Sequence, residues 1–124
     1  MEWASFGGAP MKLVYVAGPL THPSPEVMEL RRERALAFGR HIESLGPYVA
    51  FVPHAHILEP RGATPEEVWR VAMRKCLANL RRCDFLVPIP GWEESRGARV
   101  EVWLCRRRSG FPPVVQVEDL RAAG

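Results

Sequence analysis

Lys12-Leu13-Val14-Tyr15-Val16-Ala17 is a short apolar run that Gly18 and Pro19 bring to an end. Strict alternation of apolar and polar side chains is typical of a strand with one face in solvent. Here apolar side chains occupy both sets of positions, which indicates a strand that is covered on both faces. Such strands belong to parallel sheets with helices packed on either side, so this run predicts an α/β fold.

The rest of the chain repeats this unit of strand and helix. Ser24-Pro25, Thr64-Pro65 and Ser95 carry the residue types that cap and open a helix. In chain order, the expected elements are a strand at 12–17, a helix at 25–45, a strand at 48–52, a loop at 54–63, a helix at 65–82, a strand at 84–89, a helix at 96–108, a strand at 113–117 and a tail that is a short helix or frayed. The first helix is expected to bury one stripe of side chains, formed by Val27, Leu30, Ala35, Phe38, Ile42 and Leu45.

This order predicts a flavodoxin- or Rossmann-like three-layer sandwich with a parallel sheet of about four strands, in the order 2-1-3-4. Ligands bind such sheets beyond the carboxyl ends of the strands. The loops at 18–22, 53–59 and 90–95 are therefore the candidate site. Residues 1–10 are expected to be a loose tail, and residues 11–124 a single domain, because 124 residues fit one domain.

Composition narrows the class of protein. No apolar run approaches the roughly 18–20 residues of a membrane span. The N-terminus lacks the basic stretch followed by an apolar stretch that is typical of a secretion signal. A cytoplasmic protein without a membrane partner is therefore expected. Three cysteines without a CxxC pair argue against a disulfide framework or a zinc ribbon. The net charge is +3, and the basic residues are almost all arginines spread along the helices. We interpret most of them as codon bias and expect no nucleic-acid polymer as partner.

The segment from Asp84 to Glu101 combines a strand, a loop and the start of a helix. Ser95 can cap this helix, and the backbone N–H groups of its first turn then form an anion site. Those N–H groups belong to Arg96, Gly97 and Ala98, of which the small residues let a ligand approach the backbone. Glu101 follows in the second turn, where it either lies beside this anion site or pairs with a nearby arginine.

Two motifs resemble the nucleoside 2-deoxyribosyltransferase superfamily, and within it a small uncharacterised branch. They are Tyr15-x-Ala17-Gly18-Pro19 and Gly91-Trp92-Glu93-x-Ser95-x-Gly97-Ala98-x-x-Glu101. The resemblance covers about residues 12–117. It implies that Glu101 is the catalytic nucleophile and that the Tyr15 hydroxyl orients its carboxylate.

The resemblance also implies how a ligand is bound. Ser95 occupies the position at which relatives that accept nucleoside 5′-monophosphates use a serine for the phosphate, and the Gly18-Pro19 loop flanks the sugar. Trp92 could stack on a base, or equally pack in the core or at a subunit contact. Relatives complete their sites as dimers or larger assemblies, so the resemblance implies a homo-oligomer.

One position departs from the family pattern. Where relatives carry an aspartate that handles the proton of the base, this chain has Cys76. Glu93, Glu94 or His54 could take over that role. Without a proton donor the protein could instead be a binding module that retains a nucleotide-derived ligand and has lost turnover.

A different site is suggested by His54-Ala55-His56. On an extended chain this spacing projects both imidazoles to one face, as in many metal sites, with His22, Glu59 or Cys76 as a third ligand. The alternative is a loop whose histidines line the cleft. We favour that alternative and expect no metal and no other cofactor. The function expected from the sequence is that of a nucleoside or nucleotide N-glycosidase or deoxyribosyltransferase-like protein.

Overall fold

The computed structural model of the protein describes residues 7–8, 10–57 and 63–123. The elements, in chain order, are β1 (Lys12–Ala17), α1 (Pro25–Ser44), β2 (Tyr48–Phe51), α2 (Pro53–His56), α3 (Pro65–Leu80), β3 (Phe85–Pro88), a 3-10 turn (Trp92–Glu94), α4 (Arg96–Arg107), a second 3-10 turn (Val117–Asp119) and α5 (Leu120–Ala123). Most of the expected tail at 1–10, and positions 58–62 of the expected loop, lie outside the described residues.

The sheet is parallel, and β1 lies between β2 and β3. Tyr15 is the register partner of Phe51 on one side and of Leu86 on the other. The predicted parallel order 2-1-3 is confirmed. All three strands therefore end at the same edge of the sheet, where their following loops meet.

The predicted fourth strand at 113–117 is wrong for the described residues. Val114 forms one isolated parallel bridge with Leu86, at the expected edge beside β3. Leu86 donates to the carbonyl of Pro113 and accepts from the amide of Val115, each at 2.9 Å. Pro112 and Pro113 lack backbone N–H groups, and the chain enters a 3-10 turn at Val117, so the ladder does not extend.

The segment after β2 also differs from the prediction, because α2 stands where the loop was expected to start. Pro53 occupies the first turn of this helix, a position at which proline is well tolerated. The backbone N–H of Val52 donates to Nδ1 of His56 at 3.0 Å, which satisfies an amide at the helix start.

Side chains of β1 alternate between two cores. Val14 and Val16 pack with Ala35 and Ile42 of α1, together with Leu120. Tyr15 and Ala17 point the other way, into a cluster that contains Leu80 of α3 and Ala98 and Val102 of α4. Helices thus cover both faces of the sheet, as the apolar character of β1 predicts. None of the helices in the described part of the chain combines the length and apolar character that crossing a bilayer requires.

Helix α1 buries less of its predicted stripe than expected. Leu30 is 64% exposed, whereas Ala35, Gly39 and Ile42 are buried in the second half of the helix. A helix of 20 residues is about 30 Å long, while a six-residue strand spans roughly 20 Å. The first half of α1 therefore extends beyond the carboxyl edge of the sheet, where no strand lies beneath Leu30.

Candidate functional site

The hydroxyl of Tyr15 donates a hydrogen bond to a carboxylate oxygen of Glu101. Tyr15 is fully buried and Glu101 is 5% exposed. Tyr15 reaches the contact from β1, and Glu101 from the second turn of α4. The structure thus brings together the two residues that the resemblance pairs, and Glu101 forms no salt bridge with a described arginine.

The start of α4 determines where Glu101 points. Ser95 accepts a hydrogen bond from the N–H of Ala98 at 3.1 Å, so it caps the helix as the sequence predicts. Helical periodicity then places Glu101 on the same face as Ala98 and Val102, which pack against Tyr15. The carboxylate of Glu101 is therefore buried, because it lies on the apolar face of α4.

Burial changes the proton affinity of both partners. Loss of hydration raises the pKa of Glu101 to about 7, and the hydrogen bond from Tyr15 opposes this shift. Burial, followed by the negative charge of Glu101, raises the pKa of Tyr15 well above its ordinary value. The pair therefore has a phenol that keeps its proton and a carboxyl group that exchanges its proton near neutral pH.

Two thiols lie near this carboxylate. Burial and the charge of Glu101 raise the pKa of Cys76, on α3, to about 11. Cys105 lies one turn after Glu101 on α4, and burial with the same charge raises its pKa to about 12. Both remain neutral thiols at physiological pH. Cys76 is thus beside the expected nucleophile, but its weakly acidic proton differs from that of a carboxylic acid.

The other expected residues at the start of α4 have structural partners. The guanidinium of Arg96 forms two hydrogen bonds with Glu66, at 3.0 and 3.1 Å, and lies 3.7 Å from the centre of the Trp69 ring. A Cβ atom on Gly97 would lie 3.1 Å from the sulfur of Met73. Gly97 therefore lets α4 approach α3 closely. Because the guanidinium of Arg96 is engaged by Glu66 and Trp69, only the backbone N–H of Arg96 is left to bind an anion.

The Gly18-Pro19 loop and Trp92 lie at the same edge of the sheet. A Cβ atom on Gly18 would lie 2.7 Å from Cδ1 of Ile89, so glycine is needed where this loop meets the end of β3. The carbonyl of Pro19 contacts Nε2 of His54 at 3.0 Å. Trp92 is partly buried and packs against the Tyr15 cluster. Of the roles expected for Trp92, this packing favours that of a core residue.

The alternative metal site is not formed by the described residues. His54 and His56 lie on a helix, where residues two positions apart face different directions. His54 contacts Pro19, whereas His56 accepts from Val52 and packs against the Phe51 ring. No group of three metal-ligand side chains occurs in the described ranges. Glu59, one of the proposed third ligands, lies outside them.

Three arginines at this edge were missed by the sequence analysis. They lie in the first half of α1, and each donates to a backbone carbonyl in the segment that follows a different strand. Arg31 binds Thr21 after β1 at 2.8 Å, Arg32 binds His54 after β2 at 3.1 Å, and Arg34 binds Pro90 after β3 at 2.9 Å. In the sequence, the clustering of these three arginines within four positions is the signal that could have identified them. They tie together the loops that surround the site.

A cavity of about 320 Å³ lies elsewhere, between the end of α1 and the C-terminal segment, lined by His41, Leu45, Val117, Glu118 and Arg121. It lies at the opposite end of α1 from the three arginines. Ligand sites of parallel sheets form at the carboxyl ends of the strands, so the buried Tyr15 and Glu101 pair remains the candidate site.

Comparison with known proteins identifies one family. The model of a family described as a domain of unknown function, DUF4406, matches residues 12–110. This range contains the whole sheet, both residues of the buried pair and Cys76. No curated protein matches the chain.

Proposed function

The chain belongs to the DUF4406 family, which has no assigned function, and we propose that it acts at the N-glycosidic bond of a nucleoside or nucleotide. Glu101 is the nucleophile, Tyr15 positions it, and the ligand enters at the carboxyl edge of the sheet. The observation that supports this most is the buried hydrogen bond between these two residues. The likeness of both motifs to nucleoside 2-deoxyribosyltransferases supports the same reaction.

The proposed reaction has two steps. The ionised carboxylate of Glu101 attacks C1′ of the sugar, the C1′–N bond breaks, and its electron pair leaves with the base, which takes up a proton. Water, or a second base, then attacks C1′ of the glycosyl ester and regenerates the carboxylate, with net retention of configuration. Tyr15 donates to one oxygen of the carboxylate and thereby fixes the orientation of the group.

The proton for the departing base is the weakest part of this mechanism. Cys76 lies where relatives carry an aspartate, and its thiol has a pKa of about 11. A general acid works best when its pKa is near the working pH, so this thiol is a poor donor. Slow turnover, or activity limited to bases that leave without strong acid assistance, is expected.

The second candidate function is binding of a nucleotide-derived ligand without turnover. The neutral thiol of Cys76 favours this second function, because the fold then keeps the edge at which a ligand binds but lacks an acid to protonate the departing base. In both functions the ligand is a small nucleoside or nucleotide whose phosphate is held by Ser95 and the first amides of α4. Ser95 already accepts one hydrogen bond from the N–H of Ala98.

Self-association belongs to the same proposal. Leu13 and Val49 are register partners on neighbouring strands, and they are 42% and 39% exposed. Trp103 on α4 is 48% exposed. Apolar side chains left in solvent support a contact between copies of the chain. Sedimentation analysis tests this: a dimer or larger assembly is expected, and a monomer at micromolar concentration contradicts it.

Two measurements on the same protein separate the two functions. Calorimetry with a panel of 2′-deoxyribonucleoside 5′-monophosphates measures binding, and chromatography of the same mixtures detects free base. Binding with release of base supports the enzyme, and binding without release supports the module. Absence of both refutes the proposed function in either form.

A further inference from the structure

His54 is a buried titratable side chain that the proposed mechanism leaves unused. It lies in α2, immediately beyond the carboxyl end of β2, and it is 7% exposed. Its ring is held on one side by the carbonyl of Pro19, and its own carbonyl accepts from Arg32. His54 is therefore held between the loop that follows β1 and helix α1.

The hydrogen bonding of the ring defines its tautomer. A carbonyl oxygen only accepts, so Nε2 carries the hydrogen in the contact with Pro19. Burial lowers the pKa of His54, and the charge of Arg32 adds to this effect, while the carbonyls of Pro19 and Gly18 oppose it. The net pKa lies below the ordinary value, so the ring is neutral at physiological pH. Its Nδ1 is then an acceptor with a lone pair.

This lone pair has no partner among the residues that the structure describes. Nδ1 of His54 is buried and forms no hydrogen bond within the part of the chain that the structure describes. Buried polar atoms are almost always paired, so an exception calls for a specific explanation, such as a functional role. The neighbouring His56 is different, because its Nδ1 accepts from Val52.

We infer that Nδ1 of His54 is a specificity site that accepts a hydrogen bond from a sugar hydroxyl of the ligand. This inference rests on the proposed function, and it names the part of the ligand that the protein recognises. His54 follows β2, and Glu101 contacts β1 through Tyr15. Because β1 and β2 are neighbouring strands, both residues lie by the carboxyl edge of the sheet, where ligands of parallel sheets bind.

The reaction geometry favours the sugar over the base as the donor. Displacement at C1′ places the departing base on the side of the sugar opposite the attacking carboxylate. The donors that lie on the Glu101 side, next to the strand ends, are then hydroxyl groups of the sugar. A fully ionised phosphate has no hydrogen to donate.

Two variants separate the roles of the two ring nitrogens. In His54→Gln the amide nitrogen reaches the position of Nε2, so the bond to Pro19 is kept and the acceptor at Nδ1 is lost. In His54→Asn the amide oxygen takes the position of Nδ1, so the acceptor is kept and the bond to Pro19 is lost. His54→Asn is therefore expected to lower the melting temperature, and His54→Gln to change it less.

The experiment measures the dissociation constants of three nucleoside 5′-monophosphates with the same base: ribose, 2′-deoxyribose and 2′,3′-dideoxyribose. Wild type is expected to lose about tenfold in affinity when the recognised hydroxyl is removed, the size of one hydrogen bond at a buried acceptor. His54→Gln is expected to bind all three alike, at the level of the weakest wild-type complex. His54→Asn is expected to retain the preference.

Three other results would contradict the inference about His54, and one of them would also contradict the proposed function. If wild type binds these ligands and His54→Gln keeps the same preference among the sugars, the inference about His54 is wrong and the proposed function stands. If His54→Gln weakens all three equally, His54 acts on the fold rather than on the hydroxyl, and the inference is wrong. If wild type binds none of them, the proposed function and this inference fall together.

Discussion

Tyr15 on β1 and Glu101 on α4 form a buried hydrogen bond across 86 positions of the chain. Their contact follows from the parallel sheet, because β1 is flanked by β3, and α4 packs against both strands after the loop that leaves β3. The proposed nucleophilic role of Glu101 depends on this pair.

Tyr15→Phe should raise the pKa of Glu101. The tyrosine hydrogen bond stabilises the ionised carboxylate and so opposes the effect of burial. Its loss should move the pKa upward by roughly one to two units, the equivalent of one hydrogen bond to a charged group. A ¹³C NMR titration of the Glu101 carboxyl measures this shift without requiring turnover. The matched control is Tyr48→Phe, which removes a buried tyrosine hydrogen bond to Leu120 on the other face of the sheet. Equal titration curves for wild type and Tyr15→Phe would refute the positioning role.

Glu101→Gln should stabilise the protein at alkaline pH. The pKa of Glu101 is raised from 4.5 to about 7 in the folded state, so the unfolded chain ionises first. Wild-type stability is therefore undiminished below about pH 4.5 and falls as the pH rises towards 7, by about 3 kcal/mol in total. Urea unfolding at pH 4 and pH 8 measures this.

The neutral glutamine avoids that loss, so the variant should gain on wild type at pH 8 and not at pH 4. Glu94→Gln is the control, since Glu94 is exposed in the loop before α4. A Glu101→Gln variant that is less stable than wild type at pH 8 would contradict the burial argument.

Cys76→Asp should increase the rate of base release. An aspartic acid placed beside the charge of Glu101 has a raised pKa and keeps its proton for the departing base. General acids contribute about 10²-fold or more, so a clear rise in turnover is expected. Cys105→Asp is the matched variant, because Cys105 is also near Glu101 but lies on α4 itself. A folded Cys76→Asp protein that is no faster than wild type would show that the missing acid is not what limits the reaction.

Ser95→Ala should affect both stability and nucleotide binding. Loss of the cap to Ala98 should lower the free energy of unfolding by about 1 kcal/mol. Loss of the phosphate contact should weaken binding of nucleoside monophosphates by about 1–2 kcal/mol. Thr64→Ala removes the equivalent cap of α3, at Glu67, and should lower stability alone. Calorimetry that finds the same nucleotide affinity in both variants would place the phosphate elsewhere.

Local signals in the sequence predicted the starts of the helices. Ser24, Thr64 and Ser95 each cap the expected helix, because capping depends on a residue and its neighbours three positions on. The parallel order 2-1-3 was also predictable, since apolar strands separated by helices permit few arrangements. The contact between Tyr15 and Glu101 followed from the motif resemblance combined with that order.

Other features depend on distances in the folded chain, which local sequence patterns do not specify. Helix α1 is longer than the strands it covers, and this difference exposes Leu30 and places Arg31, Arg32 and Arg34 over the loops. The residues at 113–117 have strand-forming side chains, yet the prolines that open the segment limit its pairing to one bridge. His54 was expected in a loop, and only the folded chain shows that its buried Nδ1 has no partner within the described ranges.

If Glu101 attacks the sugar, removing its carboxylate must abolish the release of base while nucleotides still bind. Release of free base from 2′-deoxyribonucleoside 5′-monophosphates is measured for wild type, Glu101→Gln and the control Glu33→Gln, whose side chain is exposed on α1, with binding measured in parallel. We expect Glu101→Gln to bind nucleotides and to lose on the order of a thousandfold or more in rate, as other enzymes do without their nucleophile. Glu33→Gln should match wild type. Base release by Glu101→Gln at the wild-type rate would contradict the assignment of this carboxylate as the nucleophile.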